Sequence, residues 1–389
     1  MFLIGIGSVC ALGGLYLFIR GWQSLEFFGR RRVWFAVVFW TVNLSFLVAH
    51  LLKRKGVLIE MFDVFFSFGF YYYMAMLLYG FLILLALDFL RMVGWAGKIK
   101  PDFIYRNYPL SKAILFGAVC LALTIILIAG YYNAHRPRAT YIEISVDKQA
   151  GQRNNLRIVM VSDVHMGKIH GRKSLARIVD KINEQRPDLV LLVGDIFDGS
   201  PEPVFENNMG EEYERLKSKY GTYLIAGNHE YIGRSDLRMT KNPIVDYMAA
   251  HGVQTLLDSV ILIDNSFYVA GRRDRSNRNR KSIPELLRHV NHQLPIILAD
   301  HQPFHLNDAA EAEVDLYLSG HTHHGQLWPL NYITQKIYEL DWGFLQKGKT
   351  YYYISCGVGT WGPPIRTAGY SEVVVIDMIF SAPFFSIPK

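Results

Sequence analysis

The stretch "LRIVMVSDVH", residues 156–165, decides how the rest of the chain is read. It begins as a nearly continuous run of Val, Ile, Leu and Met, the pattern of a strand buried on both faces, and then breaks into Ser162, Asp163 and His165. One strand ending in a carboxylate and an imidazole says little, but four more follow. "DLVLLVGD" (188–195) ends in Asp195, with Asp198 three residues on, and "TYLIAGNHE" (222–230) ends in Asn228 and His229. "LPIILADH" (294–301) ends in His301, and "VDLYLSGHTH" (314–323) in His321 and His323. Between the first two, "RKSLARIVDKINEQ" puts Leu175, Ile178, Val179 and Ile182 on one helical face. A second polar helix is expected before Thr222, and further strands at "YYYISCGVG" and "SEVVVID". Buried strands alternating with amphipathic helices give an α/β domain whose sheet is covered by helices.

Ligand sites in such sheets gather outside the carboxyl ends of the strands, so the five clusters can meet. Carboxylates, an amide oxygen and imidazoles suit Mn, Zn, Fe or Mg rather than copper or iron–sulfur clusters. The set exceeds what one ion uses and fits two ions roughly 3.5 to 4 Å apart sharing a bridging group. Taken singly, Asp163 and Asp195 would serve as helix caps and Asn228 as a turn residue, while His301 would satisfy loop backbone. Their joint order favours a shared site.

That order resembles the calcineurin-like metallophosphoesterases, whose five motifs are DxH, GDxxD, GNH followed by Asp or Glu, an isolated His, and GHxH. Here they read "DVH" at 163, "GDIFD" at 194, "GNHE" at 227, His at 301 and "GHTH" at 320. "GHTHHGQLWP" and "GVGTWGPPIRTAGYSEVVVID" are similar to the membrane-associated, YkuE-like branch. The resemblance implies a four-layer αββα sandwich carrying two divalent ions, with manganese, zinc, iron and magnesium all admissible. It assigns Asp163, His165, Asp195 and His323 to the first ion, and Asp195, Asn228, His301 and His321 to the second. Hydrolysis would proceed through a hydroxide bridging the ions. His229 would hydrogen-bond a phosphoryl oxygen or protonate the leaving group, oriented by Asp198.

Other residues fall outside the motifs. His170, His305 and His324 are expected at the rim or behind the ligands. The run "GRRDRSNRNRKS" (271–282) holds six Lys or Arg and reads either as a solvated loop or as a phosphate-binding lid. It follows the strand-like "FYVAG" and is expected to leave the sheet at one edge. Arg272, Arg273, Arg275 and Arg366 are the candidate substrate-binding residues. Trp328 and Trp361 flank the last motif in aromatic, Gly- and Pro-rich sequence that either meets lipid or covers the sheet, and "FSAPFFSIPK" raises the same choice.

Charge divides the chain near residue 135. Before it stand twelve Lys or Arg against five Asp or Glu; after it, 29 against 29. A neutral C-terminal part argues against nucleic acid as a partner. The N-terminal part holds four apolar stretches, roughly 2–19, 33–52, 64–87 and 113–132, none with a Lys, Arg, Asp or Glu. Each approaches the roughly 20 residues that cross a bilayer as a helix. Nine Lys or Arg in loops one and three, against five in loop two and after the fourth span, put the catalytic domain on the extracytoplasmic face. Of three cysteines, Cys10 and Cys120 lie in the spans and Cys356 stands alone, so no disulfide framework is expected.

The expected architecture is a four-span, all-α transmembrane region (1–135), a linker (136–155) and an αββα metallophosphoesterase domain (156–389). The expected function is hydrolysis of a phosphoester or pyrophosphate in a lipid-linked substrate by a multi-pass membrane enzyme. With the domain facing the cytoplasm, UDP-2,3-diacylglucosamine becomes the better substrate. A rival from another class is a transporter or sensor with a regulatory domain of this kind. Charge-free spans and a full set of motif residues weigh against it.

Overall fold

The computed structural model describes residues 2–54, 60–99, 101–232 and 243–381; most of "FSAPFFSIPK" lies outside them. Two compact units result, Met1–Tyr131 with Gly362–Pro364, and Tyr132–Trp361 with Ile365–Lys389.

The first unit is helical. Among the described residues, Glu26–Leu52, Phe65–Ala96 and Tyr108–Ala134 are long and apolar enough to cross a membrane. The first expected span, 2–19, falls in the helix Phe2–Ser24, whose side chains before Ala11 lie outside the described residues. Val38, Leu44, Ile114, Leu121 and Ile125 are exposed, an arrangement that hydrocarbon stabilises and water does not. The third helix runs to Ala96, beyond the expected end at Leu87, and so takes in Asp88. That carboxylate pairs with Arg20 and accepts the Tyr16 hydroxyl at 2.6 Å, which satisfies a charge the span would otherwise leave bare.

The second unit is built on two six-stranded mixed sheets. The strands are β1 Arg138–Val146, β2 Asn155–Val161, β3 Leu189–Val193, β4 Thr222–Ile225, β5 Val253–Thr255, β6 Ser259–Ile263, β7 Phe267–Gly271, β8 Ile296–Ala299, β9 Leu316–Ser319, β10 Gly343–Lys347, β11 Thr350–Ile354 and β12 Glu372–Phe380. The orders are β1-β12-β2-β3-β4-β5 and β10-β11-β9-β8-β7-β6. Alternation along each strand divides its side chains between two cores. Leu156, Ile158, Met160, Leu189 and Leu191 meet Val269, Ile297, Leu316 and Leu318 between the sheets. Val159, Val161, Val190 and Leu192 face outward onto Leu175, Ile178, Val179 and Ile182 of the helix Arg172–Glu184. On the far side, Ile296, Leu298 and Tyr317 pack beneath Leu306, Ala309 and Ile283. The result is four layers, αββα, in which each fully buried Leu or Ile contributes about 2 kcal/mol.

Three details differ from the sequence reading. Residues 138–146, assigned to a linker, form β1, which pairs in parallel with β12 from the far end of the chain. The alternation that buries Ile144 and Val146 while exposing Glu143 and Ser145 is that of an edge strand. The polar helix expected before Thr222 is only two short pieces, Glu202–Glu206 and Met209–Arg215, because the backbone turns left-handed at Asn208 (φ 46°) between them. The Arg-rich run leaves β7, which lies one strand inside the edge made by β6.

Candidate metal centre

The motif strands come from both sheets. β2, β3 and β4 deliver Asp163, His165, Asp195, Asn228 and His229, while β8 and β9 deliver His301, His321 and His323. The turns are tight: Asp163, His165, Asp195, His321 and His323 have φ of 56°, 51°, 51°, 72° and 50°. Left-handed backbone at non-glycine residues costs on the order of 1 kcal/mol each and is kept where surrounding bonds enforce it. Here the motifs brace one another. Asp163 N–H donates to Gly194 O (3.0 Å), and His165 N–H to Asp195 O (3.0 Å). The Asp163 carboxylate accepts the His321 N–H (3.0 Å), and Asp195 Oδ1 accepts the His229 N–H (2.8 Å). Gly227 and Gly320 are required for another reason, since a Cβ on either would overlap the carboxylate of Asp195 or Asp163.

Two groups of donors result. Asp163, His165 and His323 have ligand atoms within 4.8 Å of one another, as do Asp195, His301 and His321. His165 Nε2 and His323 Nε2 are 3.0 Å apart, with Asp163 Oδ1 3.4 Å from the latter. His301 Nε2 lies 3.1 Å from Asp195 Oδ2, whose distance to His165 Nε2 is 4.0 Å, so Asp195 sits between the groups. A third overlapping group, His165, Asp195 and His229, brings the expected proton donor to the same place. Asn228 Oδ1 and His301 Nε2 are buried without a hydrogen-bond partner among the described residues. His301 Nδ1 binds Val193 O at 2.8 Å, which turns Nε2 toward the carboxylates. Orphaned oxygen and nitrogen, converging imidazoles and two buried carboxylates fit divalent cations of the Mn, Zn, Fe and Mg kind.

Electrostatics agree. Burial and the neighbouring His301 push His321 down to about 4. Burial, His165 and Arg366 hold His323 well below its ordinary value, so both rings are neutral. Burial works against the charge of Asp195, but His301 and the imidazoles around it keep the carboxyl far below the usual range. His301 is the counterpart: burial opposes its proton, yet Asp195 and Asp163 hold its pKa well above normal, so a positive charge is stabilised there. At His229 burial again opposes the proton, and Asp198, with Nδ1 3.4 Å from its Oδ1, and Asp195 raise the pKa.

The flanking histidines are held apart from this centre. His324 Nδ1 binds Asp341 at 2.8 Å, His170 Nε2 binds the Thr360 hydroxyl at 2.7 Å, and His305 stands just before the helix Leu306–Glu311. Among the candidate arginines, burial withdraws two from direct substrate contact. Arg272 is committed to Asp300 (2.8 Å) and Lys281 O, and Arg366 to Gly359 O (2.7 Å) and His323 Nδ1 (3.2 Å). Arg273 turns toward Asp258, and Arg275 is exposed over the Phe304 ring.

One organising residue escaped the sequence reading. Glu230 is fully enclosed, and its carboxylate accepts the N–H groups of Asp195 (3.0 Å), Ile196 (2.8 Å), Phe197 (2.9 Å) and Gly227 (2.6 Å). It fastens the second motif to the third. Its position as the last letter of "GNHE" was the available signal.

Beside the centre lies a cavity of about 400 Å³, whose lining includes Asp195, Asn228, His229, His321 and His323 together with Leu330, Ile333 and Trp361. Trp361 and Ile333 are 60% and 54% exposed, and Trp328, Tyr332 and Ile337 are exposed as well.

Residues 156–325 match the calcineurin-like phosphoesterase family. An uncharacterized metallophosphoesterase of Campylobacter jejuni is 30% identical over 305 residues, covering 77% of this chain and 78% of its own. A transmembrane protein with metallophosphoesterase domain of Danio rerio is 29% identical, with 75% and 70% covered. The uncharacterized metallophosphoesterase YkuE of Bacillus subtilis is 28% identical, with 58% and 79% covered.

Proposed function

From the premise that this chain belongs to the calcineurin-like phosphoesterase family, we propose that it is a multi-pass membrane enzyme hydrolysing a phosphoester or pyrophosphate bond of a lipid-linked substrate. The observation that carries the reading is the pair of Asp/His groups flanking Asp195 at the carboxyl ends of strands from both sheets. Asp163, His165, Asp195 and His323 would hold one ion, and Asp195, Asn228, His301 and His321 the other. Bound divalent ions would polarise phosphoryl oxygens and make water a competent nucleophile near neutral pH.

The chain's own groups do the rest. Asp198 orients His229 and favours its protonated form, so that His229 can give a proton to the departing oxygen or hold a phosphoryl oxygen. The buried carboxylates of Asp163 and Asp195 fix the neighbouring motif backbones and keep the donors in register. Leu330, Ile333 and Trp361 offer an acyl chain apolar lining in the same cavity as the polar donors, which supports a lipid-linked substrate. The basic loops of the helical region support an extracytoplasmic domain; on the cytoplasmic side the same site would suit a nucleotide-linked lipid such as UDP-2,3-diacylglucosamine.

The test is hydrolysis by the purified full chain in detergent with Mn, Zn or Mg. The panel is a chromogenic phosphodiester, a lipid phosphate and UDP-2,3-diacylglucosamine. Metal-dependent turnover of a lipid member, abolished by His229→Ala, is expected. Turnover of no member with any of the metals would favour a regulatory role for the domain.

A further inference from the structure

The run 271–282 carries six Lys or Arg, and most are used internally. Arg272 and Arg280 share the fully buried Asp300 at 2.8 and 2.9 Å. Asp258 accepts the backbone N–H groups of Arg273 and Lys281 at 3.0 and 3.1 Å. Asp300 immediately precedes His301, so the basic run is fastened to the backbone that carries a metal-facing imidazole. Arg275 and Arg278 remain exposed.

Among the described residues, only Arg275 of these two has a ring as a platform. Its guanidinium carbon lies 4.0 Å from the centroid of the Phe304 ring. Phe304 is 4.9 Å from the Tyr338 ring, which is 6.2 Å from His321. Aromatic rings therefore connect the cation to the His301 and His321 side of the centre. The backbone beside Arg275 is fixed, because the Asp274 carboxylate accepts Ser276 N–H at 2.8 Å and the Gln302 amide at 2.9 Å. Among the described residues no carboxylate pairs with Arg275. A guanidinium lying on a ring keeps its in-plane N–H donors directed outward, the geometry that takes an oxyanion with two parallel bonds. Acid and base balance in this part of the chain, at 29 each, so an unpaired cation here is a local feature rather than part of a general basic surface.

We propose that Arg275, on its Phe304–Tyr338 platform, is an accessory anion-binding residue at the rim of the centre. It takes a second phosphate, or an equivalent oxyanion, set several bonds away from the scissile phosphorus. The inference rests on the phosphoester-hydrolase reading and narrows its substrate class to compounds with two separated anionic groups.

Calorimetric binding to the full chain in detergent with Mn tests this without turnover. The probes are glucose 1-phosphate and glucose 1,6-bisphosphate, which differ only in the second phosphate. The folded protein is expected to bind the bisphosphate about tenfold more tightly, the worth of one charge-assisted contact. Arg275→Ala, with unchanged thermal stability, should remove that preference and leave glucose 1-phosphate binding unaltered, while Arg275→Lys retains part of it. Arg278→Ala, with the same change of charge but no ring beneath it among the described residues, should leave both affinities as they were. Equal affinities for the two probes, or the same loss in Arg278→Ala, would overturn the subsite. A protein that shows the Arg275-dependent preference yet hydrolyses no phosphoester would overturn the hydrolase reading and leave the subsite standing.

Discussion

Replacing Glu230 by Gln tests how the centre is held together. The carboxylate uses Oε1 for the N–H groups of Ile196 and Phe197, and Oε2 for those of Asp195 and Gly227. An amide keeps one oxygen and turns an NH2 group toward the other two donors. Two buried N–H groups are then left without an acceptor, each costing about 1 to 3 kcal/mol, for a total near 4 kcal/mol. For a domain of this size 1 kcal/mol moves the melting temperature by roughly 2 to 4 °C, so a fall of about 12 °C is expected. Thermal unfolding of the full chain in detergent, followed by near-ultraviolet circular dichroism, measures it. Either pair of donors includes backbone of residues 195–197, which positions Asp195, so Mn affinity should fall with stability, although Glu230 is not itself a metal ligand in this assignment. A melting temperature within 2 °C of the parent, with unchanged Mn affinity, would refute the reasoning.

Three further outcomes are expected. His229→Ala should lower kcat by about 10² to 10⁴ on a substrate with a poor leaving group and by less on a p-nitrophenyl ester. Because Asp198 and Asp195 raise the His229 pKa against the effect of burial, its acid form persists to higher pH than that of a free imidazole and is lost as pH rises past the raised value; the variant's kcat profile should lack that decline. His170, pushed down to about 3 by burial and then by His135 and His165, stays neutral in the fold while the unfolded chain takes up a proton near pH 6.5. Its contribution is therefore complete above pH 6.5 and declines as pH falls toward 3, by on the order of 4 kcal/mol; His170→Asn should flatten the acid limb of stability against pH in chelator-treated protein. Trp361→Ala should raise KM for a lipid phosphate severalfold and leave a chromogenic diester unaffected, and an equal effect on both substrates would count against an acyl chain at that lining.

The five motif clusters were legible because each couples a short apolar run to a polar turn, and both halves of that signal are local. Their division between two sheets was not: nothing in "LPIILADH" distinguishes it from "DLVLLVGD", and only pairing with β7 and β9 puts β8 in the second sheet. β1 was read as a linker because its pattern has meaning only beside β12. Glu230 entered only as the last letter of "GNHE" with no role of its own, because its enclosure depends on N–H groups offered by residues 195–197. The Arg-rich run was ambiguous for the same reason, since Asp258 and Asp300, which hold it, lie outside the run. Left-handed φ at Asp163 and His165 is likewise enforced by bonds between motifs, with Asp163 N–H reaching Gly194 O and His165 N–H reaching Asp195 O.

The central claim is that Asp195 joins two ion-binding groups into one hydrolytic centre. It is tested most directly by metal content and phosphodiester turnover measured on the same preparations of the parent chain and Asp195→Asn. The expected result is two Mn per chain in the parent, fewer than one in the variant, and a loss of turnover of about 10³ or more, the effect of removing a buried charge from beside both groups. A single ion per parent chain, or a variant that keeps two ions and full turnover, would contradict it.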